Sequence, residues 1–256
     1  MKKLLIHLLT GVVVGLASNV ATAQVLTVSF GDNYPYSIPE GRDGITYDVL
    51  RQTLGQAGYQ IEPVYVPYER RFRVFQEKNL DVVVEARPES VALYKLDGFL
   101  SVPAIRFDNF AIHLKKNKLK ITRTSDLAAH RVISWQGARN VMGDEYAAMV
   151  KRNNHYQENS KQRAQVMMLF SDRADILHID ITIFAYWRNQ VGKTTDIDVW
   201  QDVEMYHFGD IYFNFLFRDE KVRDLFNEKF KELQDSGQYA KIYQKYTVLE
   251  SRRNAR

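Results

Sequence analysis

The chain has 256 residues, 45% of them hydrophobic, with 35 Lys and Arg against 31 Asp and Glu and no cysteine. So small a charge excess gives no footing for nucleic-acid binding, and the lack of cysteine excludes disulfides, thiolate metal sites and a lipid-modified cysteine. The length allows one or two domains with a substantial core.

Residues 1–23 read as a secretory signal peptide. Lys2 and Lys3 form a basic start, Leu4 to Leu16 is apolar but too short and broken for a membrane span, and Ala21-Thr-Ala23 supplies small residues before a cut. The mature chain is expected to begin near Gln24, with 33 basic against 31 acidic residues, and to reside in the periplasm.

Val25 to Phe30 alternates and is rich in β-formers, which predicts a strand. The loop after it carries Tyr34 and Tyr36. It is either one wall of a small-molecule cleft, since open α/β sheets bind ligands beyond the carboxyl ends of their strands, or a surface loop whose rings cover the core. Asp48 to Ala57 has the spacing of a helix, stopped by Gly58. Tyr59 to Val66 predicts a strand, Tyr68 to Glu77 a helix, and Val82 to Val84 a short buried strand, the alternation of βαβ units. Gly98 to Ile105 reads as a loop and Phe107 to Leu114 as extended.

The basic run Lys115 to Lys120 reads as a solvated turn or linker, and the boundary between two α/β units falls near 113–118. Beyond it, Ser125 to His130 predicts a short helix capped by the serine. Arg131 to Trp135 is a strand, and Gln136 to Arg139 a turn opening a helix to about Val150. Lys161 to Phe170 is a helix, Ala174 to Asp180 a strand, Ile181 to Arg188 a helix, and 189–199 a loop plus a strand. Tyr212 to Arg218 predicts a strand. Asp219 to Gln234 is an amphipathic helix with Val222, Leu225, Phe226, Phe230 and Leu233 on one stripe. Gly237 breaks it, Tyr239 to Tyr246 closes the fold, and the end beyond Glu250 is expected to fray. The ring-rich run Tyr206 to Phe215 reads as a core strand or as an adhesive surface.

Four stretches in order resemble the extracellular solute-binding proteins of family 3, which serve polar amino-acid uptake. They are Asn33-Tyr-Pro-Tyr36-Ser with Gly44-Ile-Thr-Tyr-Asp48; Asn79-Leu-Asp81-Val-Val with Arg87-Pro-Glu89 and Phe99-Leu-Ser101-Val-Pro103; Ala174-Asp175 through Asp180; and Val222 to Phe230 with Gly237-Gln-Tyr-Ala-Lys-Ile242. The resemblance implies an α/β, two-lobe periplasmic-binding-protein fold with two interlobe crossings and a central ligand cleft. Lobe one would hold 24–112 and 209–256, and lobe two 113–208. Hinge closure would trap a small-molecule solute for an inner-membrane ABC-type permease or a sensor domain. No catalysis, cofactor or metal is expected, and the protein would be a monomer.

The same resemblance makes Tyr36 and Tyr68 ring contacts to the ligand and Asp180 the partner of a ligand ammonium; capping of the helix that begins at Ile181 is the other reading of Asp180. Trp135, at the end of its strand, joins the expected contacts. Ser90 stands where the family carries an arginine that forks onto a ligand carboxylate, and a hydroxyl cannot replace that contact. Ala138 and Arg139 replace the usual small hydroxyl residues. Arg71, Arg87 and Arg139 are the candidates to compensate, which points to an anionic or zwitterionic metabolite.

A sensing or regulatory module, and a lyase or dehydratase on the same fold, are the alternatives. For the latter Glu69, Glu85 and Glu89 are available, but no Gly-x-Ser-x-Gly elbow, P-loop or His-Glu-x-x-His motif is present.

Overall fold

A computed structural model describes residues 24–31 and 33–247. The expected signal peptide and the tail beyond Glu250 lie outside the described residues. Strand β1 (Gln24–Phe30) buries Leu26, Val28 and Phe30, the alternate positions that the sequence marks as apolar. It lies between β2 (Tyr59–Tyr65) and β3 (Val82–Ala86), parallel to both. Helix α1 (Ile45–Leu50) starts earlier than the periodicity predicts and widens into a π-helical turn over Arg51–Gly55. Gly44 fixes that start. It sits at φ +117°, and a Cβ there would come within 2.7 Å of the Tyr36 carbonyl oxygen.

Helix α2 (Tyr68–Gln76) follows β2, and α3 (Pro88–Tyr94) follows β3 with its proline in the first turn, where no N–H is needed. Two strands then matter most. β4 (Phe99–Leu100) leads into β5 (Ile105–Leu114), and β9 (Val203–Phe217) pairs antiparallel with β5 from Ile105↔Phe213 to Leu114↔Val203. Between them in the chain lie β6 (Val132–Trp135), α4 (Ala138–Val141), α5 (Asp144–Arg152), β7 (Gln157–Asn159), α6 (Gln162–Phe170), β8 (Ile176–Asp180) and α7 (Ile181–Thr194). Helices α8 (Glu220–Asp235) and α9 (Gln238–Thr247) end the described chain, α8 burying Val222, Phe226, Phe230 and Leu233 as its stripe predicts.

The strand order is β2-β1-β3-β9-β5-β8-β6-β7, with β4 on β9. The far end of β9 completes the first half by pairing with β3 and β4, while β5 pairs with β8 in the second. Both β5 and β9 therefore pass from one half to the other. Further expectations change, and strand β4 falls inside the stretch from Gly98 to Ile105 that reads as a loop. The strand predicted from Tyr212 begins at Val203, because β5 offers a partner along its whole length. Helix α7 runs past Arg188 to Thr194, with Val191 continuing its buried face, and no strand occupies 189–199 among the described residues. The short helix expected from Ser125 is a 3-10 turn over Thr124–Ala129, capped at Arg123.

The main apolar cluster runs through both halves, from Val28 and Phe30 through Ile112 and Ile179 to Phe226. Smaller clusters lie around Phe72, Phe75 and Leu216 and around Leu127, Tyr146 and Met149. Of the ring-rich run in β9, Phe215 is buried, while Tyr212 is exposed.

Candidate functional site

The carboxyl ends of β1 and β3 on one side, and of β6 and β8 on the other, place the sequence-predicted residues. In the first half, Arg71 points inward from α2. Its Nη1 donates to the Val84 carbonyl and to Glu85 Oε2, both at 3.1 Å, and its Cζ lies 5.0 Å from the centre of the Tyr68 ring. Gly31 at the end of β1 makes room, since a Cβ there would fall 2.5 Å from Arg71 Nη2. Glu85 adopts a left-handed φ of +56°, where the β3–β9 register shifts between Val83 and Ala86. Its other oxygen accepts from Asn33 Nδ2 at 3.3 Å. This pair is almost wholly buried, so Arg71 neutralises a carboxylate of its own chain.

Tyr68 is 40% exposed. Its hydroxyl donates to the Glu85 carbonyl at 3.2 Å, and the desolvation of that hydroxyl pushes its pKa upward. Arg87, just past β3, has its Cζ 5.9 Å from the centre of the Phe213 ring and its Nη2 3.2 Å from Glu89 Oε1. Glu89 is 70% exposed, so that ion pair is weak and easily exchanged.

Tyr36 and Asp180 meet across 144 residues of chain. The Tyr36 hydroxyl donates to the Arg106 carbonyl at 2.9 Å and to Asp180 Oδ2 at 3.2 Å, and its ring stacks on Phe107 with centroids 4.1 Å apart. Tyr36 is fully buried and offers no ring face to a ligand. Asp180 also accepts from Asp108 N at 2.7 Å through Oδ2 and caps α7 by accepting from Ile183 N at 2.9 Å through Oδ1. Burial pushes its pKa up to about 7, against the lowering effect of those donors. The neighbouring loop ring of Tyr34 packs on Tyr186 and Trp187 of α7, with centroids at 5.8 and 5.2 Å.

In the second half Trp135 ends β6, partly buried, with its indole nitrogen enclosed. The turn after it holds an anion of this chain's own. Glu158 on β7 accepts from Gly137 N at 2.9 Å, from Arg139 N and Nε at 3.1 Å each, and from the Tyr156 hydroxyl at 2.8 Å. Burial works against its charge, but these donors prevail and hold the carboxyl below its usual range. Beneath lies a buried polar group: His178 Nδ1 is 2.9 Å from Ser134 Oγ and 2.8 Å from the Tyr146 hydroxyl. Burial drives the imidazole pKa down to about 3, so it is neutral.

Glu158→Ala is expected to lower the unfolding free energy by about 1 kcal/mol, the worth of hydrogen bonds whose donors water can partly reach, read as a lower urea midpoint at pH 7. The carboxyl is depressed in the folded state, so its contribution is present above the unfolded pKa and lost as pH falls through the folded one. The difference between Glu158→Ala and the parent therefore shrinks at acid pH.

The predicted residues sort into groups: Tyr68, Arg71 and Arg87 around Glu85; Tyr36 with Asp180 between the halves; and Trp135 with Arg139 at the turn held by Glu158. Sequence reasoning missed Glu158, and it missed Tyr34, Tyr186 and Trp187 as contacts between the halves. No local spacing marks them.

A family model described as bacterial extracellular solute-binding proteins, family 3, matches residues 26–248. Among solved structures, the GluR0 ligand-binding core in complex with L-glutamate superposes with a TM-score of 0.69 at 16% identity, over 89% of this chain and 100% of that one. An ancestral cationic amino acid solute-binding protein gives 0.66 at 20% identity, over 88% and 96%. A substrate-binding protein of an ABC uptake transporter from Streptococcus pneumoniae, with bound histidine, gives 0.61 at 17% identity, over 87% and 92%. At these identities the likeness is one of fold. No curated protein sequence matches the chain.

Proposed function

The chain belongs to the bacterial extracellular solute-binding proteins of family 3, and from that premise we propose that it captures a small polar solute between two closing lobes and presents it to an ABC-type permease of the inner membrane. The observation that carries this reading is the pair of strands β5 and β9, which run side by side from one half to the other. Two adjacent passages, running antiparallel, allow the halves to hinge while keeping their register. The lobes are assigned as 24–112 with 209–256 and as 113–208, so the change-overs fall inside β5 and β9. A signal-directed periplasmic location belongs to the same proposal, as does the role of solute carrier rather than enzyme.

Arg71 and Arg139 are each engaged by an internal carboxylate, which leaves Arg87 as the arginine whose exposed partner is most readily exchanged for a ligand acid. Tyr68 supplies an accessible ring beside it. The solute is accordingly proposed to be zwitterionic or singly anionic, with its charge met at Arg87. The test begins with mass analysis of solute retained by gently purified protein, followed by calorimetry on that solute. Arg87→Ala and Tyr68→Ala are each expected to weaken binding about tenfold or more, the worth of a charge-assisted hydrogen bond or a ring contact. Undiminished affinity in both variants would remove these residues from the site, and turnover of the bound solute would favour the enzymatic alternative. Solute binding that never supports uptake would favour the sensing role.

A further inference from the structure

Outside the cleft residues, the passage between the halves carries a second group of chemistry-bearing side chains. Asp108 of β5 and Asp210 of β9 are direct register partners in the antiparallel ladder. Like charges at directly opposed positions repel, and a cation between them removes the penalty. His207 completes the group: its Nε2 lies 2.6 Å from Asp108 Oδ1 and 3.7 Å from Asp210 Oδ1. One ligand atom from each of the three residues lies within 4.8 Å of the others. Bonds of about 2.0–2.2 Å from one imidazole nitrogen and two carboxylate oxygens to a common ion require the 2.6 Å contact between His207 Nε2 and Asp108 Oδ1 to open to roughly 3.4 Å, with the ion taking the place of the hydrogen bond.

The surroundings fit a metal as well as the ligands do. The Tyr212 hydroxyl donates to Asp210 Oδ2 at 2.9 Å, which orients the carboxylate and leaves Oδ1 toward the histidine. The nearest competing cation, Arg106, has its Nη1 3.8 Å from Asp210 Oδ2, and its side chain is half exposed and able to swing away. Nitrogen with two carboxylates suits a borderline divalent ion, whereas Mg²⁺ and Ca²⁺ prefer all-oxygen shells.

We propose that Asp108, His207 and Asp210 form a site for a divalent transition-metal ion, with Zn²⁺ as its representative, which clips together the two strands that join the halves. The Asp108 backbone N–H is also bonded to Asp180, which Tyr36 meets from the first half, so an ion here would stiffen the region about which the halves hinge. The site is independent of which solute the cleft takes.

Calorimetric titration of tag-free protein with zinc chloride tests it, with magnesium chloride as the control. One equivalent of zinc should bind and magnesium should give no heat. His207→Ala and Asp210→Asn should each weaken zinc binding by about tenfold or more, with the circular dichroism spectrum unchanged. Failure of the parent protein to take up zinc would overturn the proposal. So would undiminished zinc affinity in either variant.

Discussion

Replacing Arg71 by alanine is expected to lower the unfolding free energy by about 3–5 kcal/mol, because it strands a buried carboxylate. Arg71 and Glu85 have 2% and 9% of their side-chain surface exposed, and they touch at 3.1 Å. The attraction within such a pair mostly offsets the cost of removing both ions from water, so the intact pair adds little. Losing one partner leaves that desolvation cost uncompensated. Urea unfolding monitored by circular dichroism reads the change as a drop in midpoint at constant slope. A double variant, Arg71→Met with Glu85→Gln, separates charge from packing: it should recover a large share of the lost stability. If Arg71→Ala alone proves nearly neutral, Glu85 is reaching water, and the pair is a surface feature.

Asp180 should make the protein less stable as pH rises from 5 to 8. Its carboxyl has an ordinary value of 3.8 and is pushed up to about 7 in the folded state, first by burial. Between those values the folded state holds a proton that the unfolded state has lost. Stability from this group is therefore fully present below the unfolded pKa and falls away as pH climbs through the folded one. Asp180→Asn removes the titration and keeps one side-chain oxygen, enough to cap α7 at Ile183 N but not to accept as well from the Asp108 N–H, which meets the other oxygen of Asp180. The variant should have the flatter profile, so that the stability difference between the two moves in the variant's favour as pH rises from about 4 to about 7. A parent profile as flat as the variant's would show that Asp180 ionises freely, as an exposed carboxylate does. Asp180→Ala should instead be destabilising at both pH values. It removes the helix cap and leaves the Asp108 N–H, the Ile183 N–H and the Tyr36 hydroxyl without their shared acceptor.

The Asp180 result also bears on solute capture. The residue joins Tyr36 of the first half to β5 and α7, so a proton on it changes the bond that holds the halves together. The family resemblance assigns Asp180 to a ligand ammonium, whereas the geometry gives it the capping role that the sequence offered as the other reading. Tyr36 moves in the same direction, from a proposed stacking face to a buried strut on Phe107.

Short-range pattern was enough for most of the elements. The alternation of Leu26, Val28 and Phe30 specified β1, the stripe through Val222, Phe226 and Phe230 specified α8, and the order of motifs along residues 26–248 specified the family. Such signals survive in sequence because they recur every two or every three to four residues, within one element. The meeting of Glu158 with Gly137 and Arg139, of Tyr36 with Asp180, and of Asp108 with His207 belongs to no element. Those contacts depend on strand order, on a register shift in each of the two pairings of β9, with β3 and with β5, and on a left-handed turn at Glu85. Tertiary structure alone decided that Arg71 and Arg139 spend their charge on acids distant in the sequence, Glu85 and Glu158, whereas Arg87 meets Glu89 two residues away, because a buried charge is answered by whatever the fold brings within reach.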